Sequence, residues 1–304
     1  MKQNLTLTVL ALAFATTAWN RAQSAEPTPL APAKSAAVTA ATNNTPEQFP
    51  YDLISVERRR QLENIRDSIG SIGNLESLYQ HRTNANGLPY HLYVPAALKP
   101  GTKYPLVIFL HGWSDHTINT HKGFPKGVWS LPLVQAKHPH ILFVPHYRSR
   151  EDQWVHEDYR KKVMAAVDDL AKELTPTPTT AGIDIDRVYL TGFSQGGMGA
   201  WNNLKHEPKR FAAVCPLSGF SYGPQNVAEA KAIRHVPIWI FNGDGDNGVG
   251  GSRLSYQMLK RAGAPDVRYH EYKNCGHVID DFAYFTEGFM DWLFAQKVKA
   301  AANN

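Results

Sequence analysis

Apolar runs alternate with amphipathic stretches through most of the chain. The runs at residues 104–110, 141–145 and 237–241 are almost free of polar side chains, which predicts strands that are buried on both faces, as in a parallel sheet. Further strand-like stretches lie at 187–190, 211–216 and 267–272, and helical patterns lie at 158–174, 195–206 and 252–262. Strands that alternate with helices in this way predict an α/β fold with a mostly parallel central sheet flanked by helices.

Shorter patterns mark the two ends of this region. Strand-like segments at 75–83 and 88–94 flank the sequence NANG, which is typical of a tight turn and predicts an N-terminal antiparallel hairpin. Residues 55–66 predict a helix with Ser55 as its N-terminal cap. Residues 281–297 predict one amphipathic helix that closes the chain.

The first residues differ in composition from the rest. A positively charged start, an apolar stretch at 5–19 and small residues before position 25 predict a secretory signal peptide at 1–24. Residues 25–46 are mainly Ala, Pro, Thr, Ser and Asn, which predicts a disordered spacer. We therefore expect an exported protein, periplasmic or extracellular, with a helical segment at 47–74 and the α/β domain at 75–298. No later stretch is long and apolar enough to predict a membrane anchor.

Charge and cysteine content narrow the range of partners. The net charge of +5 is spread along the chain, without the cluster of basic and aromatic residues typical of nucleic-acid binding, so no nucleic-acid partner is expected. The two cysteines, Cys215 and Cys275, allow two alternatives. They form a disulfide that tethers the loop after Cys275, or they are two buried thiols.

A Gly-X-Ser-X-Gly motif with Ser194 at its centre joins a predicted strand to a predicted helix. In that position the motif is typical of a nucleophile elbow, a strained turn that exposes the serine hydroxyl. Side chains at Gly192 or Gly196 are expected to collide with neighbouring backbone, and Gly197 to allow close packing of the helix on the strand. The alternative is a glycine-rich turn that serves packing alone.

A nucleophilic serine needs a base, and the base needs an acid that orients it. For a serine at such an elbow the acid and then the histidine follow in the chain. Of the two late histidines, His270 lies within a predicted strand, whereas His277 lies in a loop, which favours His277 as the base. The loop after residues 237–241 holds Asp244 and Asp246. Asp246 lies deeper in that loop and is the favoured acid, with Asp244 as the alternative.

Acyl transfer also needs donors for the developing oxyanion. We predict the backbone amide of Gln195, which follows the serine, and that of Trp113, which follows a glycine in the loop after residues 104–110. Aromatic residues in loops at this end of the predicted sheet are candidates for substrate walls, chiefly Trp154 and Phe220; plain packing is the alternative for each. The acidic loop lacks the ligand spacing of a calcium site, and we expect neither a metal nor an organic cofactor.

Three segments, 88–95, 103–112 and 186–197, together resemble the secreted bacterial α/β-hydrolases of the esterase and prolyl-oligopeptidase-like peptidase group. That group includes feruloyl-esterase-like and polyhydroxyalkanoate-depolymerase-like enzymes. The resemblance extends over roughly residues 75–296 and implies the α/β-hydrolase fold. It implies the same site: Ser194 as nucleophile, Asp246 as acid, His277 as base, and the Trp113 and Gln195 amides as oxyanion donors. The acid loop departs from the common pattern, with Asn242 where a histidine often precedes the acid and Asn247 where a proline often follows it.

These features predict a serine hydrolase that works through an acyl-enzyme. The leading hypothesis is hydrolysis of a carboxylic ester, with a small-molecule or carbohydrate-linked acyl ester as substrate. A serine peptidase is the nearest alternative, because a triad and an oxyanion hole serve both reactions. A binding module that keeps the fold without catalysis is a third hypothesis.

Overall fold

The computed structural model describes residues 49–69, 75–113, 127–147, 153–280 and 282–298, so the predicted signal peptide and spacer lie outside it. The strands in the described ranges are β1 (Asp52–Ile54), β2 (Gln80–Thr83), β3 (Pro89–Tyr93), β4 (Lys103–Leu110), β5 (Ile141–Pro145), β6 (Gly182–Phe193), β7 (Ala213–Leu217), β8 (Ile238–Gly243) and β9 (Val267–Tyr272). They form one sheet in the order β1-β9-β8-β7-β6-β4-β5-β3-β2.

The sheet is mostly parallel, as the sequence predicts. Among the strands in the described ranges, only β3 runs antiparallel to its neighbours, β2 and β5. The predicted hairpin is formed by β2 and β3, with Thr83 opposite Pro89, and its turn contains Gly87 at φ +74°, a conformation that glycine adopts without steric cost. Strand β2, the first strand of the hairpin, is shorter than the predicted segment 75–83, because Leu75–Leu78 forms a 3-10 turn. The edge strand β1, which the sequence pattern did not predict, pairs in parallel with β9.

Helices cover both faces of this sheet. They are α1 (Val56–Ile69), α2 (Gly127–Ser130), α3 (Pro132–Lys137), α4 (Glu157–Glu173), α5 (Gln195–His206), α6 (Val227–Ile233), α7 (Val249–Arg261) and α8 (Phe289–Ala295). Side chains alternate between the two faces of β4. Leu106, Ile108 and Leu110 join the core under α4 to α7, whereas Val107 and Phe109 join the core under α1, α2 and α8. Burial on both faces explains why this strand is apolar throughout.

The two helical predictions at the chain ends have different outcomes. Helix α1 begins as predicted, with the Arg58 amide donating to Ser55 Oγ at 3.1 Å. The prediction of one helix over 281–297 is wrong. Ala283–Phe285 forms a 3-10 turn, and α8 begins only after Gly288, which adopts φ +71°. The apolar residues of this segment are buried against the sheet, so its pattern reflects tertiary packing rather than a continuous helical face.

None of the helices in the described ranges combines the length and the apolar character that a membrane crossing requires.

Burial of His140 predicts a loss of stability in mild acid. Its imidazole is completely buried beside Trp129, and this burial lowers its pKa from 6.5 to about 4. Between these values the unfolded chain binds a proton that the folded chain does not, so the free energy of unfolding falls as the pH falls. At pH 4.5 the loss from this residue is on the order of 2 to 3 kcal/mol. Urea denaturation at pH 7 and pH 4.5 measures the free energy of unfolding, which should fall less between the two pH values in His140→Gln than in the wild type. Equal losses in the two proteins would show that His140 is not a source of the acid sensitivity.

Candidate active site

Ser194 lies at the sharp turn between β6 and α5. Its backbone adopts φ 57° and ψ −118°, which is strained for a residue with a side chain. The turn is fixed from two sides: the Ser194 amide donates to Leu217 O at 2.9 Å, and Ser194 O accepts from the Met198 amide at 3.0 Å. The strain is therefore held by β7 and by the first turn of α5.

The glycines around Ser194 permit close approach of backbone segments. A Cβ on Gly196 would lie 1.9 Å from Leu110 O, and one on Gly192 would lie 2.6 Å from the carbonyl carbon of Gly196. Both distances are far below van der Waals contact, as expected from the sequence. A Cβ on Gly197 would lie 2.4 Å from Leu217 O, so this glycine allows packing on β7 rather than on the preceding strand.

Three side chains from different strand ends meet at this turn. Ser194 follows β6, Asp246 follows β8 and His277 follows β9; because the carboxyl ends of parallel strands share one edge of the sheet, these loops are neighbours. His277 Nε2 lies 2.8 Å from Ser194 Oγ, and His277 Nδ1 lies 3.0 Å from Asp246 Oδ2. The geometry fits an imidazole that donates from Nδ1 to the carboxylate and accepts the serine proton at Nε2.

The surroundings of Asp246 keep its carboxylate ionised. Burial raises its pKa, but hydrogen bonds from His277, from the Gly248 amide at 3.1 Å and from Ser218 outweigh burial and lower the pKa below its ordinary value. Asp244, the alternative acid, accepts a hydrogen bond from the Cys275 amide at 3.1 Å. The structure therefore brings Asp246 to His277 and uses Asp244 to brace the histidine loop.

The two residues predicted to supply oxyanion donors belong to segments that adjoin Ser194. Gln195 is the first residue of α5, where backbone amides have no partner within the helix and the helix dipole favours negative charge. A Cβ on Gly112 would lie 3.6 Å from Ser194 Cβ, so the residue directly before Trp113 packs against Ser194. His111 Nδ1 lies 2.8 Å from Gly112 O, so this buried imidazole helps to fix the loop.

The predicted role of Trp154 as a substrate wall is wrong. Its side chain is only 1% exposed, because the indole packs at 4.9 Å from the Tyr147 ring and donates a hydrogen bond to His111 O at 2.9 Å. Trp154 therefore supports the loop that leads from His111 to Trp113, and almost none of its surface is left for a substrate to contact.

Phe220, the second predicted wall, lies beside the site. It is half-buried at φ 52°, and its ring centroid is 5.1 Å from that of His277. Sequence reasoning missed Phe193, whose ring lies 5.0 Å from the imidazole on another side, although its position directly before the serine was a usable signal. It also missed Val278, which is 61% exposed next to His277; Trp113 is 37% exposed. These four described side chains give the site an apolar edge.

The cysteine alternatives are resolved by the structure. Cys215 and Cys275 are both buried and free, and burial raises the pKa of the Cys215 thiol well above its ordinary value. Within the described ranges, no group of three or more His, Cys, Asp or Glu side chains is arranged to hold a metal ion.

Two curated relatives carry esterase or thioesterase names. The chain is 28% identical over 194 residues to a bifunctional acetylxylan esterase/xylanase of Neocallimastix patriciarum, covering 59% of this chain and 24% of that protein. It is 26% identical over 199 residues to acyl-protein thioesterase 1 homolog 2 of Dictyostelium discoideum, covering 58% of this chain and 86% of that protein. The chain thus spans about a quarter of the first relative and most of the second.

Solved structures share the fold. A thermostable esterase superimposes with a TM-score of 0.62 at 28% identity, over 72% of this chain and 63% of that one. A mutant of the feruloyl esterase module from Clostridium thermocellum, complexed with sinapinate, superimposes with a TM-score of 0.55 at 14% identity, over 74% of this chain and 90% of that one. At 14% identity the second match shows the α/β-hydrolase fold alone.

The model of one family matches residues 98–283, more than half of the chain, and the match contains the strand ends that carry Ser194, Asp246 and His277. The chain therefore belongs to the phospholipase/carboxylesterase family.

Proposed function

We propose that this chain is an exported serine hydrolase that cleaves small-molecule or carbohydrate-linked carboxylic esters through an acyl-enzyme. The observation that supports this most strongly is the continuous hydrogen-bonded row from Ser194 Oγ through the His277 imidazole to Asp246, with distances of 2.8 and 3.0 Å. Export would follow from the predicted signal peptide at 1–24, and a secreted form that starts at Ala25 would support it.

In the first step, Ser194 Oγ attacks the acyl carbonyl carbon while His277 Nε2 takes its proton. The ionised Asp246 stabilises the imidazolium that forms. The Gln195 and Trp113 amides stabilise the oxyanion of the tetrahedral intermediate, and the loss of one such donor typically costs about 10²- to 10³-fold in kcat. When the intermediate collapses, the carbon–oxygen bond to the alcohol breaks, and His277 gives its proton to the leaving alcohol oxygen.

In the second step, water replaces the alcohol. His277 takes a proton from this water as its oxygen attacks the acyl carbon of the acyl-enzyme. Collapse of the second tetrahedral intermediate returns the proton to Ser194 Oγ and releases the carboxylic acid. Every proton transfer thus passes through His277 Nε2, and the chemistry needs no group besides those described.

The names of the relatives favour esters over peptides. The acetylxylan esterase/xylanase and the acyl-protein thioesterase homolog both carry ester or thioester activities in their names. A peptidase also shares the fold: Pyrococcus horikoshii acylaminoacyl peptidase superimposes with a TM-score of 0.54 at 14% identity, and the match covers 43% of that chain. That likeness is one of fold alone, and a peptidase is the second candidate function.

Initial rates on three substrates separate these functions. p-Nitrophenyl acetate, an acetylated xylo-oligosaccharide and a peptide p-nitroanilide would be compared at equal enzyme concentration, with Ser194→Ala as the background. We expect Ser194-dependent hydrolysis of the esters and none of the anilide. Faster hydrolysis of the anilide would favour the peptidase, and no hydrolysis of any substrate by folded protein would favour a binding module.

Replacing Asp246 by asparagine should lower kcat by about 10³- to 10⁴-fold, because a neutral amide neither stabilises the imidazolium nor fixes the tautomer. The matched control is Asp244→Asn, in the same loop, whose side-chain oxygen can still accept from the Cys275 amide and whose kcat should stay near that of the wild type. Steady-state kinetics on p-nitrophenyl acetate measures both. A larger loss in Asp244→Asn would reverse the assignment of the acid.

A further inference from the structure

Ser218, the residue directly after β7, is completely buried and adopts φ 47°. This left-handed conformation is unfavourable for any residue with a Cβ, and a glycine would adopt it without strain. The residue before it, Leu217, accepts a hydrogen bond from the Ser194 amide at 2.9 Å, and the Ser218 amide donates to Phe241 O at 2.9 Å. The end of β7 is thus tied both to the nucleophile turn and to β8.

The hydroxyl of Ser218 bonds to the main chain of the loop that carries His277. Its Oγ donates to the main-chain carbonyl of His277 at 2.9 Å. The same hydroxyl adds to the groups that lower the pKa of Asp246. The bond to His277 O uses the single donor proton of the hydroxyl and holds the histidine loop to the end of β7.

We propose that Ser218 is a positioning residue that sets His277 and Asp246 in register with Ser194. Of two adjacent residues, Leu217 accepts from the Ser194 amide, and Ser218 bonds through its hydroxyl to the main-chain carbonyl of His277 and through its amide to the end of β8, which leads to Asp246. A misplacement of reacting groups by about 1 Å can cost about 10²-fold in rate, so such a shared anchor controls the Ser194–His277 distance. The main-chain bonds of Leu217 and Ser218 hold the strained backbone in the place from which the hydroxyl bonds to His277 O. This inference rests on the proposed function.

Two substitutions distinguish the effect of losing the Ser218 hydroxyl from the effect of relieving the backbone strain. Ser218→Gly removes the hydroxyl and relieves the positive φ, whereas Ser218→Ala removes the hydroxyl and keeps the Cβ, so the alanine variant should be the less stable of the two. We expect both to lose about 10- to 100-fold in kcat, with KM for p-nitrophenyl acetate within about twofold of the wild type because the acyl-binding surface is untouched. Equal kcat losses at unequal stability would tie the effect to the hydroxyl.

Ser255→Ala is the matched control. Ser255 is also completely buried, and its Oγ donates to the main-chain carbonyl of Gly251 at 2.9 Å, a bond that lies within α7 and involves no residue of the triad. Its loss removes one hydrogen bond of the same kind, and kcat should stay near that of the wild type. Thermal melts of all the variants report the stability change in each.

Two results would overturn the inference. Ser218→Gly with a kcat within twofold of the wild type would show that the hydroxyl is dispensable, and an equal loss in Ser255→Ala would show that any buried serine has this effect. Failure of the proposed function looks different, since the wild-type protein itself would then neither hydrolyse p-nitrophenyl acetate nor react at Ser194 with a fluorophosphonate.

Discussion

Replacement of Ser194 by alanine is expected to lower kcat for ester hydrolysis by about 10⁵- to 10⁶-fold, because the variant has no oxygen to form the acyl-enzyme. KM should change little, since the Gln195 and Trp113 amides and the apolar edge remain. His277→Ala should lose a similar factor, and the double variant should be no worse than either single one, because a nucleophile and its base act as a unit. Steady-state kinetics on p-nitrophenyl acetate measures all three.

Ser221→Ala is the control for this series. Ser221 is exposed in the 3-10 turn Phe220–Tyr222, near the site but outside the hydrogen-bonded row, and its kcat should match that of the wild type. If the kcat losses of the two single variants multiplied in the Ser194→Ala/His277→Ala double variant, the two residues would not act as a unit. Retention of more than about 1% of kcat in Ser194→Ala would contradict its role as nucleophile.

Replacement of Gly196 by alanine is expected to be the most damaging substitution for folding. The new Cβ would lie 1.9 Å from Leu110 O and 2.5 Å from its carbonyl carbon, and neither backbone atom can move without displacing β4 from the centre of the sheet. We expect the free energy of unfolding to fall by more than about 4 kcal/mol, a large share of the stability of a typical domain. Soluble yield and urea denaturation followed by circular dichroism measure the loss.

Gly250→Ala gives a closely matched comparison. Gly250 is the second residue of α7, as Gly196 is of α5, and a Cβ there would meet no atom within 4 Å. Because alanine favours the helix, this variant should gain up to about 1 kcal/mol. If the two variants were equally stable, the close contact between α5 and β4 would not be what requires a glycine at position 196.

Much of the framework could be predicted because its causes are local. The apolar run of β4 indicates burial on both faces, and the motif around Ser194 indicates a strand-to-helix turn, so the parallel sheet and the position of the candidate nucleophile follow from short stretches of sequence. The order of Ser194, Asp246 and His277 along the chain then assigns each to a strand end. The structure brings these three side chains together.

The predictions that failed depend on contacts between distant residues. Nothing local indicates whether an aromatic residue in a loop turns inward, and Trp154 does so because His111 O offers its indole a buried acceptor. The segment 281–297 has a helical pattern, yet Gly288 interrupts it where the chain turns onto the sheet. Ser218 carried no signal at all, because its partner His277 lies 59 residues further along the chain.

The central claim is that Ser194 is an activated nucleophile, and fluorophosphonate labelling tests it most directly. The protein would be labelled at neutral pH, digested and mapped by mass spectrometry, since such reagents bond to serines that a neighbouring base activates. We predict a single label on Ser194, absent in Ser194→Ala and weak in His277→Ala. Folded wild-type protein that takes up no label, or takes it up at another residue, would contradict the claim.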